Sequence, residues 1–158
     1  TVNLIPLWAN GAADANGYFD VSLNIHGPAT INNSQYGLET GARAYSYIKD
    51  LYSQDAYLST GTANFHVTGT AVLSGWTSRY TGNYYDFTFD GNVEGTGGFA
   101  NTGGYRWVRF NKANNTFSGG VMAYGSSITG GTVTIIANAN NTLGTGPVIS
   151  YSGYLTLG

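Results

Sequence analysis

The chain has no cysteine and few charged residues. The absence of cysteine from its 158 residues excludes a disulfide framework and a thiolate metal site. Charged residues make up 9%, against roughly 25% in typical soluble domains. The six basic residues are scattered, which argues against nucleic acid or an anionic membrane as a partner. No apolar run approaches the roughly 20 residues of a membrane helix, so we expect no membrane span.

A hydrophobic fraction of 42% and an aromatic fraction of 15% predict a folded protein. We expect one β domain over 1–158, with 1–17 as an N-terminal strand arm and linker. The chain begins at Thr1 rather than Met, which favours a removed secretory signal. Together with the low charge, this predicts an extracellular or cell-surface location.

The longest regular pattern spans residues 62–94, where apolar and polar residues alternate. The apolar residues occupy odd-numbered positions, namely Phe65, Val67, Ala71, Leu73, Tyr85, Phe87, Phe89 and Val93. Such alternation predicts strands with one buried face and one wet face. We interpret the pattern as an antiparallel hairpin folded about Tyr80. That register places Gly69 opposite Gly91, Gly75 opposite Tyr85 and His66 opposite Glu94.

Shorter strand patterns flank this hairpin, including one over 18–26 that Pro28 is expected to end. Residues 40–53 have Ile48 and Leu51 on one helical face and Thr40 as a candidate N-cap, which favours a short helix, although the aromatic content also allows a strand. Thr-Gly and Gly-Gly pairs recur, and we interpret them as turn chemistry rather than a repeat. The predicted fold is an all-β antiparallel sandwich, jelly-roll-like, or a barrel of about 8–10 strands. The predicted core comprises Phe65, Val67, Leu73, Phe87, Phe89, Val121, Val133 and Ile135.

The N-terminal segment is apolar on both faces of an extended strand, through Val2, Leu4, Ile5, Leu7 and Trp8. Pro6 cannot donate a ladder hydrogen bond, so this segment suits an edge. The glycine-containing stretch 9–17 reads as a flexible linker. We expect the segment to act as a donor strand for a neighbouring subunit, with pairing along its own sheet as the alternative.

No residues form a recognisable catalytic centre. Asp86, Asp90 and Glu94 are spaced four apart on one strand, which is about 13 Å between neighbours and too far to share a metal. A calcium site completed by other segments and a metal pair of His26 with His66 are the weaker alternatives. We therefore predict no enzyme activity, no metal and no cofactor.

Two surface features point to partners. The chain has 13 tyrosines, which are typical of contact surfaces and also of sugar-binding platforms. Three Asn-X-Ser/Thr acceptor sequences begin at Asn32, Asn114 and Asn140 in predicted loops. These asparagines are candidate glycosylation sites.

Two family resemblances bear on function. The segment GTGGFANTGGY, residues 95–105, resembles a turn-and-strand motif of dirigent and allene-oxide-cyclase-like barrels. The whole chain more nearly resembles exported all-β subunits of archaeal thread-like or bundling-pilus filaments, through its uncharged Thr/Gly/Tyr-rich body, sequons and apolar arm. The second resemblance implies polymerisation of identical copies by donor-strand complementation. A secreted module that binds carbohydrate or a small apolar ligand is the alternative.

Overall fold

The computed structural model describes residues 2–3, 16–32, 45–60, 64–80, 86–102, 107–125, 133–151 and 154–157. These residues form strands joined by turns, with no helix among them. The strands are β1 Val2–Asn3, β2 Asn16–Asn32, β3 Tyr45–Thr60, β4 Asn64–Val67, β5 Ala71–Ser74, β6 Trp76–Tyr80, β7 Phe87–Phe89, β8 Val93–Gly95, β9 Gly98–Asn101, β10 Trp107–Phe110, β11 Gly120–Ala123, β12 Thr134–Ala137, β13 Val148–Ser150 and β14 Tyr154–Leu157.

The strands are all parallel and wind into a β-solenoid of about four turns. The all-β prediction is therefore correct, while the antiparallel sandwich or barrel is wrong. Turn 1 contains β4–β6, turn 2 β7–β9, turn 3 β10 and β11, and turn 4 β12 and β13. The first side of the solenoid stacks β4, β7, β10, β12 and β14, the second side β5 and β8, and the third side β6, β9, β11 and β13.

The predicted hairpin is in fact two successive turns. Phe65 pairs with Phe87 in parallel register, so equivalent residues of turns 1 and 2 are 22 positions apart. His66 therefore lies beside Thr88 rather than Glu94, and the Gly75 carbonyl accepts from the Gly98 amide at 2.9 Å. The turn is an internal repeat, which the interpretation of the glycine pairs as turn chemistry alone had missed.

The predicted helix over 40–53 is also wrong where the structure describes it, because Tyr45–Thr60 is one strand. Its backbone pairs with β2 on one edge and with β4, β5 and β6 on the other. Pairing on both edges overrides a weak helical pattern, since helix propensity is a small term beside tertiary hydrogen bonding and packing. Pro28 does not end β2 either, and it lies just after a register shift, paired with Tyr57.

Stacked apolar columns fill the interior. We use "column" for residues at the same position of successive turns. All eight predicted core residues are buried. This confirms that the alternating apolar positions of the sequence face inward. The rings of Phe65 and Phe87 are in tilted contact with 5.1 Å between centroids, and Phe89 and Phe110 stack at 4.9 Å. Aromatic contacts of this kind stabilise by about 0.5–1.5 kcal/mol beyond area burial.

Glycine is required where turns cross closely at the corners. A Cβ atom at Gly91 would overlap the Gly69 carbonyl oxygen, and one at Gly97 would overlap the Gly75 carbonyl oxygen. Gly69 and Gly91 are thus neighbours, as the sequence predicted. They meet through parallel stacking of turns rather than through a hairpin.

Polar side chains inside the solenoid tie different turns together. The buried guanidinium of Arg79 donates to Asn101 Oδ1 at 3.1 Å, and Asn101 Nδ2 donates to the Thr134 carbonyl at 3.3 Å. Burial lowers the pKa of Arg79 to about 10, although Asp86 acts in the opposite direction. Asn115 is also buried and joins three turns, because it accepts from the Val93 amide at 2.8 Å and donates to the Thr142 carbonyl at 2.7 Å.

Candidate functional site

A ladder of polar side chains runs across all four turns where the first side meets the second. His66 Nδ1 bonds Asp90 Oδ2 at 2.7 Å, and Asn111 Nδ2 donates to Asp90 Oδ1 at 2.7 Å. Asn138 Nδ2 donates to Asn111 Oδ1 at 2.6 Å. The parallel stack places Asp90, Asn111 and Asn138 at the same corner position of successive turns, about 4.8 Å apart. His66 lies on β4, before the corner of turn 1, and its side chain reaches Asp90 from there.

Asp90 is the charged centre of this ladder. The hydrogen bond from His66 lowers the pKa of the Asp90 carboxyl below its ordinary value of 3.8, and the bond from Asn111 acts in the same direction. Partial burial of the carboxyl opposes both effects. Asp90 therefore serves as an ionised hydrogen-bond acceptor, and its two oxygens are each engaged by a neighbouring turn.

A second polar group lies on the same outer face of the first side. Arg109 Nη2 lies 3.5 Å from Asp86 Oδ2, and the guanidinium sits 4.4 Å from the centroid of the Trp107 ring. Trp107 is partly exposed. The face thus combines an aromatic ring with planar polar groups, which is a combination that can stack on and hydrogen-bond to sugars.

The structure separates the three carboxylates that the sequence placed on one strand. Asp86 precedes β7, Asp90 follows it at the corner, and Glu94 is exposed on β8 of the second side. Among the described residues no three His, Cys, Asp or Glu side chains are close enough to hold a metal ion. His66 is paired with Asp90, and the side chain of His26 lies outside the described residues. The absence of an enzymatic centre stays a prediction.

The glycosylation candidates differ in their surroundings. Asn114 and Asn140 are both exposed, and the Asn141 Nδ2 donates to Asn114 Oδ1 at 3.2 Å. Thr116, the third residue of one sequon, is exposed, whereas Thr142 of the other is buried. Asn32 is the last residue of β2, and its side chain lies outside the described residues.

The last two strands, β13 and β14, leave core positions open to solvent. Val148 pairs with the buried Val121, Leu155 with the buried Ile135, and Leu157 with the buried Ala137. Yet Val148 is 46% exposed, Leu155 39% and Leu157 71%. No described strand pairs with the far edges of β13 and β14, so we call this surface the open end.

Sequence reasoning missed the open end, because parity alone does not say which strand is outermost. The signal that could have found it is the register between turns. Equivalent residues of turns 3 and 4 are 27 apart, as in Val121 and Val148. Counting columns in this way would have placed Leu155 above Ile135 and Leu157 above Ala137 at the edge of the stack.

Val2 and Asn3, the described part of the predicted donor strand, lie at the opposite end of the solenoid. Val2 and Asn3 form β1, which pairs in parallel with Ile31 and Asn32 of the same chain. Leu4, Ile5, Leu7 and Trp8 lie outside the described residues. β1 shows that the first end accepts an added parallel strand, and the donor role of residues 2–8 stays a prediction.

These features define a parallel β-solenoid with a polar ladder on its wall and an apolar open end. Comparison of the chain with protein-family models, with curated proteins and with solved structures finds no match. Within the described part of the chain, no helix is long and apolar enough to cross a membrane.

Proposed function

We propose that the chain is a structural subunit of an extracellular filament or surface assembly whose copies join through the N-terminal strand. The observation that carries this proposal is the open end, where Val148, Leu155 and Leu157 continue buried columns without cover. Each such side chain contributes roughly 1.5–3 kcal/mol when it is fully buried. A surface of this kind favours a partner that supplies another turn.

The geometry of the fold supports a growing polymer rather than a closed dimer. β1 and the open end lie at opposite ends of one stack, so a contact between them is head-to-tail. Contacts of this type propagate as a filament when the rotation does not close. A net charge of −2 gives little repulsion between copies. The resemblance to archaeal filament subunits points the same way.

A second candidate function is a secreted module that binds carbohydrate. The observation that favours it is the outer face of the first side, where partly exposed Trp107 lies beside Arg109 and Asp86. Binding to a glycan array, abolished by Trp107→Ala and retained by Trp76→Ala, would favour this second function. Trp76 is a suitable control because it is similarly exposed but lies on the third side.

Deletion of residues 1–9 tests the filament proposal. We expect the 158-residue chain to form polymers in negative-stain images and to elute early from a sizing column. The truncated chain should remain a folded monomer, because it lacks the donor strand that joins copies. A matched substitution, Trp107→Ala, should leave polymers intact. An intact chain that stays monomeric over a wide concentration range would contradict the proposal.

A further inference from the structure

We propose that Asn114 is a site of N-linked glycosylation on the folded chain, and that Asn140 is not, although both begin the same acceptor sequence. This modification does not depend on the proposed filament function. The partner is an oligosaccharyltransferase that uses a lipid-linked oligosaccharide as its donor. The deciding observation is one short sequence that the fold places in two different settings.

The segment Ala-Asn-Asn-Thr occurs twice, at residues 113–116 and 139–142. Each copy contains the acceptor sequence Asn-Asn-Thr, and a large apolar residue, Phe117 or Leu143, follows it. A transferase that recognises the local sequence alone therefore treats Asn114 and Asn140 alike. Any difference in their use must come from the fold.

The two copies do not occupy the same position in their turns. They are 26 residues apart in the sequence, whereas equivalent residues of turns 3 and 4 are 27 apart, as in Val121 and Val148. The side chains follow the register of 27, since Asn141 Nδ2 donates to Asn114 Oδ1 at 3.2 Å. The second copy is thus displaced by one position in its turn. Displacement by one residue exchanges inward and outward side chains.

In turn 3 the acceptor residues lie outside. Asn114 and Thr116 are exposed, and Asn115 between them is buried. The Thr116 amide donates to the Val93 carbonyl at 2.9 Å, which holds this segment against turn 2. The bond from Asn141 engages the oxygen of the Asn114 side chain, and the reacting nitrogen, Nδ2, takes no part in it. The Asn114 amide and the Thr116 hydroxyl are therefore accessible together.

In turn 4 the third acceptor residue lies inside. Asn140 is exposed, but Thr142 is only 1% exposed and occupies the column of the buried Asn115. Asn115 Nδ2 donates to the Thr142 carbonyl at 2.7 Å, and the Asn115 amide donates to the Asn141 carbonyl at 3.0 Å. A transferase reaches the Thr142 hydroxyl only in molecules whose fourth turn has opened locally. Such openings are rare where burial and hydrogen bonds hold a segment.

The reaction is a substitution at the anomeric carbon, C1, of the donor sugar. Asn114 Nδ2 forms a bond to C1, the bond from C1 to the pyrophosphate oxygen breaks, and the lipid pyrophosphate leaves with the electron pair. Nδ2 loses one proton to a base of the transferase, so nothing is oxidised or reduced. The product carries its glycan on the wall of the solenoid, between β10 and the segment that pairs with β8.

Site-specific occupancy on the folded natural chain tests the assignment. The chain is incubated with a polyprenyl-pyrophosphate oligosaccharide and a single-subunit oligosaccharyltransferase that needs no acidic residue before the acceptor sequence. Proteolysis after Phe117 and Tyr124 separates the two sites for mass spectrometry. We expect the glycan at Asn114 and an occupancy about tenfold or more lower at Asn140, because the latter requires local opening. Equal occupancy, or a preference for Asn140, would overturn the assignment.

Two synthetic peptides, residues 110–119 and 136–145, separate the effect of the fold from that of the local sequence. Both peptides should be glycosylated at similar rates, because they share the acceptor sequence and lack the fold. A preference between the peptides as large as that in the folded chain would show that the fold does not select Asn114. A 110–119 peptide that accepts no glycan, or a folded chain left bare at Asn114, would also overturn the assignment.

Asn115→Ala tests burial of Thr142 as the cause within the protein. The substitution leaves both acceptor sequences intact and removes the side-chain bond to the Thr142 carbonyl. Occupancy at Asn140 should rise severalfold, because turn 4 opens more readily, while Asn114 stays modified. Asn92→Ala, at an exposed asparagine outside any acceptor sequence, is the control and should change neither site. Asn140 occupancy that is the same in both variants would contradict this cause.

Discussion

The inner strands of this solenoid and its last two strands, β13 and β14, carry the same apolar pattern, but only the inner strands bury it. Ile135 and Ala137 lie in columns that continue to Leu155 and Leu157, and the exposed fraction rises from 1% and 5% to 39% and 71%. Parity decides which side chains face the axis. The next strand in the stack decides whether they leave water.

The largest expected effect comes from truncating one leucine in each of the two regions. Leu73→Ala removes a fully buried side chain of turn 1 and should lower the free energy of unfolding by about 2–5 kcal/mol. Leu157→Ala should change it by no more than about 0.5 kcal/mol in the monomer. Urea unfolding at low protein concentration measures both. Similar losses in the two variants would mean that Leu157 is covered in solution.

Asn115 tests how the turns are tied together. Asn115→Ala leaves the Val93 amide and the Thr142 carbonyl without their bonds to this side chain, at a cost of about 1–3 kcal/mol for each buried group. Thermal unfolding should show this loss. Asn92→Ala, at an exposed asparagine outside any acceptor sequence, serves as the control and should change the stability little. Both variants keep the acceptor sequence at Asn114 intact, so the comparison is independent of any glycan attached there.

Substitution of Asp90 should have the smallest effect on the free energy of unfolding, and that effect should depend on pH. The pKa of Asp90 is lowered in the folded protein, so the unfolded chain binds its proton at higher pH than the folded chain does. The stabilisation is therefore present above the ordinary value of 3.8 and is lost as the pH falls through the lower folded value. Asp90→Asn should flatten the acid limb of a stability–pH profile. Glu94→Gln, on the exposed second side, is the control, and an unaltered acid limb in Asp90→Asn would contradict the role of the ladder.

The sequence predicted which residues face inward, but not how the strands pair. Alternation is the same in parallel and antiparallel strands, and so it placed Phe65, Leu73 and Phe87 correctly in the core. An antiparallel hairpin about Tyr80 and a parallel stack of turns 22 residues apart both bring Gly69 beside Gly91, so this glycine pair could not distinguish the two arrangements. The arrangements differ at Gly75, which lies beside Gly97 in the parallel stack and would lie beside Tyr85 in the hairpin.

The candidate sites were less predictable than the core. His66 was expected beside Glu94, but the parallel register places it beside Thr88, and its side chain bonds Asp90 of the next turn. The ladder through Asn111 and Asn138 needs four turns in register, and local sequence windows carry no information on that register. The predicted helix failed for a related reason, since the pairing of Tyr45–Thr60 on both edges comes from distant segments.

The parallel register is the central claim, and one disulfide measurement tests it most directly. Val72 and Glu94 are register neighbours on the second side, whereas an antiparallel hairpin about Tyr80 would place Val72 opposite Thr88. We expect Val72→Cys with Glu94→Cys to form an intramolecular disulfide readily in the native monomer, and Val72→Cys with Thr88→Cys to remain reduced. Efficient bridging of residues 72 and 88, with none between 72 and 94, would contradict the solenoid.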